Sequence, residues 1–565
     1  MKKIFALVTA IATAASLAAC GGSSSGGSST TAAPAAETTQ ASTEMVVSKA
    51  DDVVVEHDKP IQVTVALTNS VAMMSPIMVT NPYNHIVGAG VYERLAEREQ
   101  FGSENFRGVL LKEWNEERSG EGEEEVVTYH CELYDYITDA AGNKLTAEDV
   151  KYFSEIQGTD GKKIPPRFVD RVDVTGDYTF DVVFQPGKYY AGLWTEYCEG
   201  MFIATRASYE KSVADNSICV GTGPYVCTDF MSNSYAVMEK RDDYWQTPEL
   251  TTITSRANVD KIRYNIVSEV TQMAIALDSP QDTQMAANVT ESLVADAEAK
   301  AEQNGTTITR IPTAQTKIFA FNCTENSVMQ NEDFRKAICY AINNEGLINA
   351  VFAGIGFPVA TLGVPSLEDY DKAWEAEPYY PYDYDKACEH FKAAGYDPNN
   401  VGVKITFMAT QTALSNNTGA YLAGCLAPFG IEVDVQCWEA AASNTYKFDM
   451  ASGWDIYEVG ETPSKTFNYL YWANFGDEPS FGGHAVWGES SDELRSLIAK
   501  VKSGDADAWK TYRDRLVNEA LLYQYGGVYF TISHVKPITN IVTDWRNSLV
   551  VGACTFSEDY NYYVE

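Results

Sequence analysis

The chain has 565 residues, 45% of them apolar, and its 78 acidic and 42 basic side chains leave a formal charge of −36. That length is more than one hydrophobic core covers, so two or three lobes are expected. The acidic excess excludes a nucleic-acid binder, which needs a basic footprint, and argues against adsorption to anionic lipid heads; it reads as a solubility feature of the surface.

In chain order, Lys2 and Lys3 precede an apolar run from Ile4 to Ala19. The run is short for a permanent span across about 30 Å of hydrocarbon, and its basic start and small-residue end describe a secretory signal. Leu17-Ala18-Ala19-Cys20 resembles the bacterial lipobox, which implies cleavage before Cys20 and lipid on its sulfur. Residues 1–20 are therefore expected to be a lipoprotein signal peptide. The lipid at Cys20 would be the sole anchor, because no later stretch reads as a transmembrane helix. Gly21 to about Thr43 is rich in Gly, Ser, Thr and Ala and buries too little apolar surface to fold; residues 21–60 are expected to be a flexible tether.

Order is expected from Ile61. Ile61–Leu67 alternates apolar and polar residues, as in a half-buried strand, and Val126–Leu133 and Tyr178–Phe184 read as further strands. Thr146 with Asp149 three residues on predicts a capped helix start. Three later helices show apolar stripes at helical spacing. The first carries Phe334, Ala337, Ile338, Ala341 and Ile342. The second carries Ala387, Phe391 and Ala394 and closes on Gly395. The third carries Leu494, Leu497, Ile498 and Val501, between Ser490-Ser491-Asp492-Glu493 (a capping box) and Gly504. Strands Lys404–Met408 and Ile431–Cys437 lie between helices, so an α/β architecture with covered sheets is expected.

Catalytic patterns are missing from the sequence. The six histidines have no partner at metal-ligand spacing, and there is no nucleophile elbow or phosphate-binding loop. Gly354-Ile355-Gly356 follows a helix, not a strand, and reads as a helix-ending turn. Besides Cys20 there are ten cysteines, an even number that permits disulfides in an exported protein. No C-x-x-C pair occurs, and Cys323, Cys339 and Cys388 sit in core-like patterns. No enzyme activity, metal or cofactor is expected.

Gly221-Thr222-Gly223-Pro224-Tyr225, followed by Lys240-Arg241-Asp242-Asp243-Tyr244-Trp245, resembles the signature of the extracellular solute-binding proteins of family 5, the oligopeptide-, dipeptide- and nickel-binding components of ABC importers. Further segments resemble the family in order: Val91–Leu95 its early helix, Asp139–Val150, Val259–Ile262 to Asp282, Phe321-Asn322-Cys323 with Phe334–Asn343, and Tyr384–Tyr396. The two glycines are expected to adopt angles closed to other residues, and the signature to serve the scaffold more than the ligand.

The resemblance implies an α/β fold of the periplasmic-binding-protein type (type II, cluster C), with discontinuous lobes joined by a two-segment hinge. Lobe I would be 61–101, 217–313 and 533–565, lobe II 102–216 and lobe III 314–532, with the hinge near Ile311–Thr316 and Phe530–Val535. It implies a monomer that closes on an oligopeptide-like solute and delivers it to an ABC permease. An oligosaccharide or a metal chelate is the alternative cargo on this scaffold. A secreted hydrolase and a surface adhesion or signalling lipoprotein are the other classes kept open. Peptide-binding members follow a Gly-Trp motif with an aspartate that holds the peptide's amino terminus. Gly453-Trp454-Asp455-Ile456-Tyr457-Glu458 occupies the matching place, with the acid at another offset. Trp454, Asp455 and Glu458 are therefore the expected ligand contacts, an acid there pairing with a ligand ammonium.

Overall fold

The computed structural model describes residues 57 and 59–560, apart from 69–70, 72–73, 78–81, 99–105, 159–167, 366, 368, 378, 447–452, 462–470, 473–474, 477–485, 489–490, 545–547 and 558–559. The expected signal, the tether to residue 56 and the Cys20 anchor lie outside the described residues. The largest sheet has eleven strands. Within it β1 (Gln62–Leu67) runs parallel to β10 (Lys261–Ile266) and β11 (Met285–Ala287), one on each side. β9 (Tyr235–Lys240) and β8 (Tyr225–Met231) extend it antiparallel beyond β10. Beyond β11 come two long strands, β17 (Leu522–Val535) and β12 (Thr306–Phe321), antiparallel to each other. Next to β12 lies β16 (Ile456–Glu461), antiparallel to it, and then β14 (Lys404–Thr410) and β15 (Glu432–Trp438), both parallel to β16. The short β13 (Gly356–Phe357) adds to the other edge of β17.

A second sheet is antiparallel, in the order β4 (Leu111–Ser119), β5 (Val126–Leu133), β7 (Thr179–Phe184), β6 (Val169–Val174). Its burial alternates along β5, as expected of a sheet with one covered face. Two ribbons, β2 (Ala96–Arg98) with β3 (Phe106–Gly108) and β18 (Ile538–Asn540) with β19 (Thr555–Phe556), complete the strands.

Buried apolar side chains form two large clusters. One joins the second sheet to the β1, β8 and β10 region, so these two regions share a single core. The other fills the β12–β14–β16 region and its helices, and takes in Met273, Leu277, Val294 and Ala297 from helices Val270–Leu277 and Glu291–Asn304. Only β12 and β17 run the length of both halves of the large sheet. Their ladder breaks between Pro312 and Thr316, opposite Tyr529 and Gly527. Pro312 has no N–H to give, and Thr313 turns its hydroxyl onto the Val528 carbonyl (2.6 Å). The irregularity thus falls within 311–316 on β12, but at 527–529 on β17, before the expected 530–535.

Several local expectations change in the tertiary setting. β1 is buried on both faces, not one, because it is a central parallel strand. Val91–Leu95 is not helical: the helix is Pro82–Gly88, and Glu93 bridges to Ile203. At helix Ala147–Gly158 the Asp149 carboxylate accepts both the N–H and the hydroxyl of Thr146 (2.7 and 2.9 Å). Helix Asp492–Lys502 is capped by Ser491, which accepts from the Leu494 N–H, so the cap is one residue later than the box predicts. Gly395, Gly354 and Gly504 do end their helices with positive φ. No disulfide joins the ten described cysteines, and Cys388 is half-buried where a core position is expected.

The Gly221–Tyr225 signature is a packing device. Neither glycine has positive φ, contrary to expectation. Each is there for close approach: a Cβ on Gly221 would overlap the Val91 carbonyl oxygen, and one on Gly223 would lie 2.6 Å from that of Gly90. Arg241 then donates to the carbonyls of Thr222 and Gly223 (3.2 and 3.1 Å) and holds the turn shut. Tyr244 and Trp245 both donate to the buried Glu93 carboxylate (2.5 and 2.8 Å). Burial pushes the Glu93 carboxyl up to about 7 from the ordinary 4.5, against the pull of those two donors.

Gly221→Ala should therefore cost about 1–3 kcal/mol as an overpacked site, read from urea midpoints. Gly424→Ala, on helix Ala413–Leu426 with open space at its Cβ, should gain about 0.5–1 kcal/mol. Folded Glu93 binds its proton more tightly than the unfolded chain does, so its contribution is greatest below pH 4.5 and is lost as pH rises to about 7. Glu93→Gln should flatten the fall in stability across that window by roughly 3 kcal/mol, measured as urea midpoints against pH.

Candidate functional site

β14, β15 and β16 run opposite to β12. The pairs Ile456 with Phe321 and Glu461 with Thr316 put the carboxyl end of β16 beside the break in the β12–β17 ladder. The carboxyl ends of β14 (Thr410) and β15 (Trp438) open on the same edge. In α/β sheets the carboxyl ends of the strands are where ligands bind, because the loops there leave a crevice.

Three features stand on or beside these strands. Glu458 on β16 is 6% exposed and accepts the hydroxyl of Tyr525; among the described residues it has no cationic partner. Lys317 on β12 pairs with Gly460 of β16 and Gly526 of β17. Trp438 and Tyr446, both more than a third exposed, set their rings 5.3 Å apart beyond β15. Sequence reasoning singled out only Glu458. The aromatic pair is visible in the sequence as two large rings near a strand end, but its exposure is not.

Trp454 and Asp455 lie at the other end of β16. Trp454 is 2% exposed, packs on Met408 and Tyr457, and donates its indole N–H to the Tyr446 carbonyl (3.2 Å). Asp455 has both oxygens in use: one accepts the Ser327 hydroxyl (2.5 Å), the other the Thr406 N–H (2.7 Å). Burial raises its pKa, and these two donors oppose the rise. Its backbone bonds Asn322 and Thr406 as well, so the residue ties β12, β14 and β16 together. The structure brings Trp454 and Asp455 next to each other but leaves Glu458 apart, nearer the ladder break.

The second-sheet region touches the region around helix Asp492–Lys502. Tyr190 meets Trp472 edge-on (5.4 Å), and the Ala191 N–H donates to the Lys502 carbonyl (2.9 Å). Among the described residues no group of three or more His, Cys, Asp or Glu is placed to hold a metal, and no helix is long and apolar enough to cross a membrane.

A family profile described as bacterial extracellular solute-binding proteins, family 5 (middle region) matches residues 105–477. The chain belongs to this family. The glutathione-binding protein GsiB of Salmonella paratyphi A is 29% identical over 181 residues, 31% of this chain and 31% of GsiB, so the match spans about a third of that relative. HbpA2 of Haemophilus parasuis superposes with a TM-score of 0.72 at 14% identity, covering 88% of this chain and all of HbpA2. The oligopeptide-binding protein AppA of Bacillus subtilis, in complex with a nonapeptide, gives 0.63 at 16% identity, over 88% of this chain and all of AppA. The fold is thus that of the periplasmic binding proteins, as the sequence resemblance implies.

If Asp455 is a strand tie, Asp455→Ala should lower stability by about 1–3 kcal/mol, since it orphans a buried hydroxyl and a backbone N–H. Solute affinity, read by isothermal titration on the folded variant, should stay within twofold of the wild type.

Proposed function

We propose that this chain is the lipid-moored capture component of an ABC importer and that it takes a peptide-like solute at the carboxyl edge of β14–β16. The observation that carries this reading is Glu458. A buried carboxylate with a tyrosine hydroxyl but no cation among the described residues is half of an ion pair, and burial makes a matched ammonium valuable. The free amino group of a peptide supplies it. The name of GsiB and the nonapeptide held by AppA agree with such cargo.

Capture works by closure. The break in the β12–β17 ladder absorbs the dihedral change, and the lobes move as rigid bodies about it. A solute touching both sides favours the closed form by its differential affinity for it. No bond is made or broken in the cargo; the permease and its ATPases do the work of uptake. The tether from residue 21 to 60 gives the body its reach above the membrane. The exposed Trp438–Tyr446 pair favours a sugar as the second reading, because two neighbouring rings stack on a pyranose face.

Titration of the full chain with tri-alanine, glutathione and maltotriose separates these readings. Tri-alanine or glutathione should bind, and Glu458→Gln should weaken that binding at least tenfold, while N-acetylated tri-alanine should be poorly bound by the wild type. Binding of maltotriose alone would move the cargo to sugars, and no binding of any of the three would overturn solute capture of either class.

A further inference from the structure

Among the described half-buried apolar side chains, Trp472 alone packs against both large clusters. Its own side of that seam is fixed by the residue before it. Tyr471 stacks its ring on Trp509 (5.8 Å), and its carbonyl accepts the Tyr512 hydroxyl (3.1 Å), both from helix Ala506–Asn518. The Trp472 indole then stands between two partners. The Lys502 ammonium, at the end of helix Asp492–Lys502, lies 4.9 Å from its ring centre, and Tyr190 of the other cluster meets it edge-on at 5.4 Å. Tyr190 is itself buried and gives its hydroxyl to the Glu196 carboxylate on helix Leu193–Gly200, which holds its ring from behind. A cation and a ring edge both suit an indole, because the negative charge of its π-system attracts each.

The backbone beside the rings is matched as well. The last carbonyls of a helix have no partner inside it. At helix Asp492–Lys502 those of Ala499, Lys500 and Val501 accept from Ser503, Asp505 and Gly504, the residues that follow. The Lys502 carbonyl accepts instead from the Ala191 N–H across the seam (2.9 Å). Gly504 leaves room for this approach: a Cβ there would lie 3.1 Å from that of Ala191, tighter than ordinary contact. These groups part at small cost, since the N–H and the carbonyl both return to water in a nearly balanced exchange. Arg98 and Glu199, inside one cluster, could not separate without stranding buried charge. The seam is built to open and reclose.

We propose that Tyr190 and Ala191 on one side and Trp472, Lys502 and Gly504 on the other form a latch, which holds the two regions together through protein groups alone and so favours the closed form before any solute enters. This rests on the reading of capture by closure about the β12–β17 break. The apparent affinity for a solute scales with the fraction of protein already in the competent form. The latch therefore raises affinity for every cargo by one common factor, while the site residues choose among cargoes.

Hydrogen exchange of the full chain without solute, resolved to single amides, reads the latch at Ala191. That amide should be protected in the wild type. Trp472→Ala should speed its exchange at least tenfold, and Trp472→Phe, which keeps a ring for both neighbours, less than threefold. The Ile203 amide, which donates to the Glu93 carbonyl within one cluster (2.8 Å), should exchange as in the wild type in both variants. An unprotected Ala191 amide in the wild type, or one whose exchange Trp472→Ala leaves unchanged, overturns the latch. Should Trp472→Ala speed Ile203 as well and so have loosened the fold, the double variant Ala191→Cys with Gly504→Cys decides. Its Cβ atoms would start 3.1 Å apart, close to the about 3.8 Å of a disulfide, and diamide should join them in the full chain. Absence of that bond on peptide mapping overturns the proposal. Neither measurement uses a solute, so the latch can fail while solute capture stands.

Discussion

One strand pair has to satisfy two cores at once. β12 and β17 supply central strands to both halves of the large sheet, so their ladder must be continuous enough to transmit register and, for the proposed closure, weak enough to bend. Pro312 and Gly526-Gly527 meet these demands together. The proline withdraws a donor from the ladder, and the glycines keep side chains away from the strands that pass them. A regular ladder through 312–316 would fuse the two halves into one stiff sheet. A broken connection with no pairing would leave their relative register undefined.

The distribution of buried charge follows the same division. Arg94 meets Glu97 and Asp544 (3.2 and 3.3 Å), and Arg98 binds both oxygens of Glu199. These pairs lie within the shared core of the first two regions, where both partners lose water together and removal of either would strand the other. Across to the third region the described contacts include a ring edge and one backbone hydrogen bond.

The candidate site shows why side-chain type and side-chain task separate. Gly453-Trp454-Asp455 looks like a binding motif because an aromatic and an acid stand together. In the fold they close the far end of β16, where Asp455 fills its hydrogen-bonding capacity inside the sheet. Glu458, three residues on, accepts the Tyr525 hydroxyl and has no cationic partner among the described residues, and strand direction sets its place, since β16 carries its carboxyl end toward the ladder break.

The sequence by itself determined the helices with their stripes and end signals, the strands at 126–133, 404–408 and 431–437 to within two residues of their observed ends, and the order of signature segments that marks the family. These are local: apolar spacing, turn residues and caps act over a few neighbours, so they survive without the rest of the chain. Tertiary structure alone decided that β1 is covered on both faces, that Gly221 and Gly223 are kept for close approach and not for their angles, and that one acid of the Trp454–Glu458 segment is spent on the scaffold while another is left open. Those outcomes depend on which strand comes to lie beside which, across separations of 49 to 220 residues, and a linear pattern carries no measure of that distance.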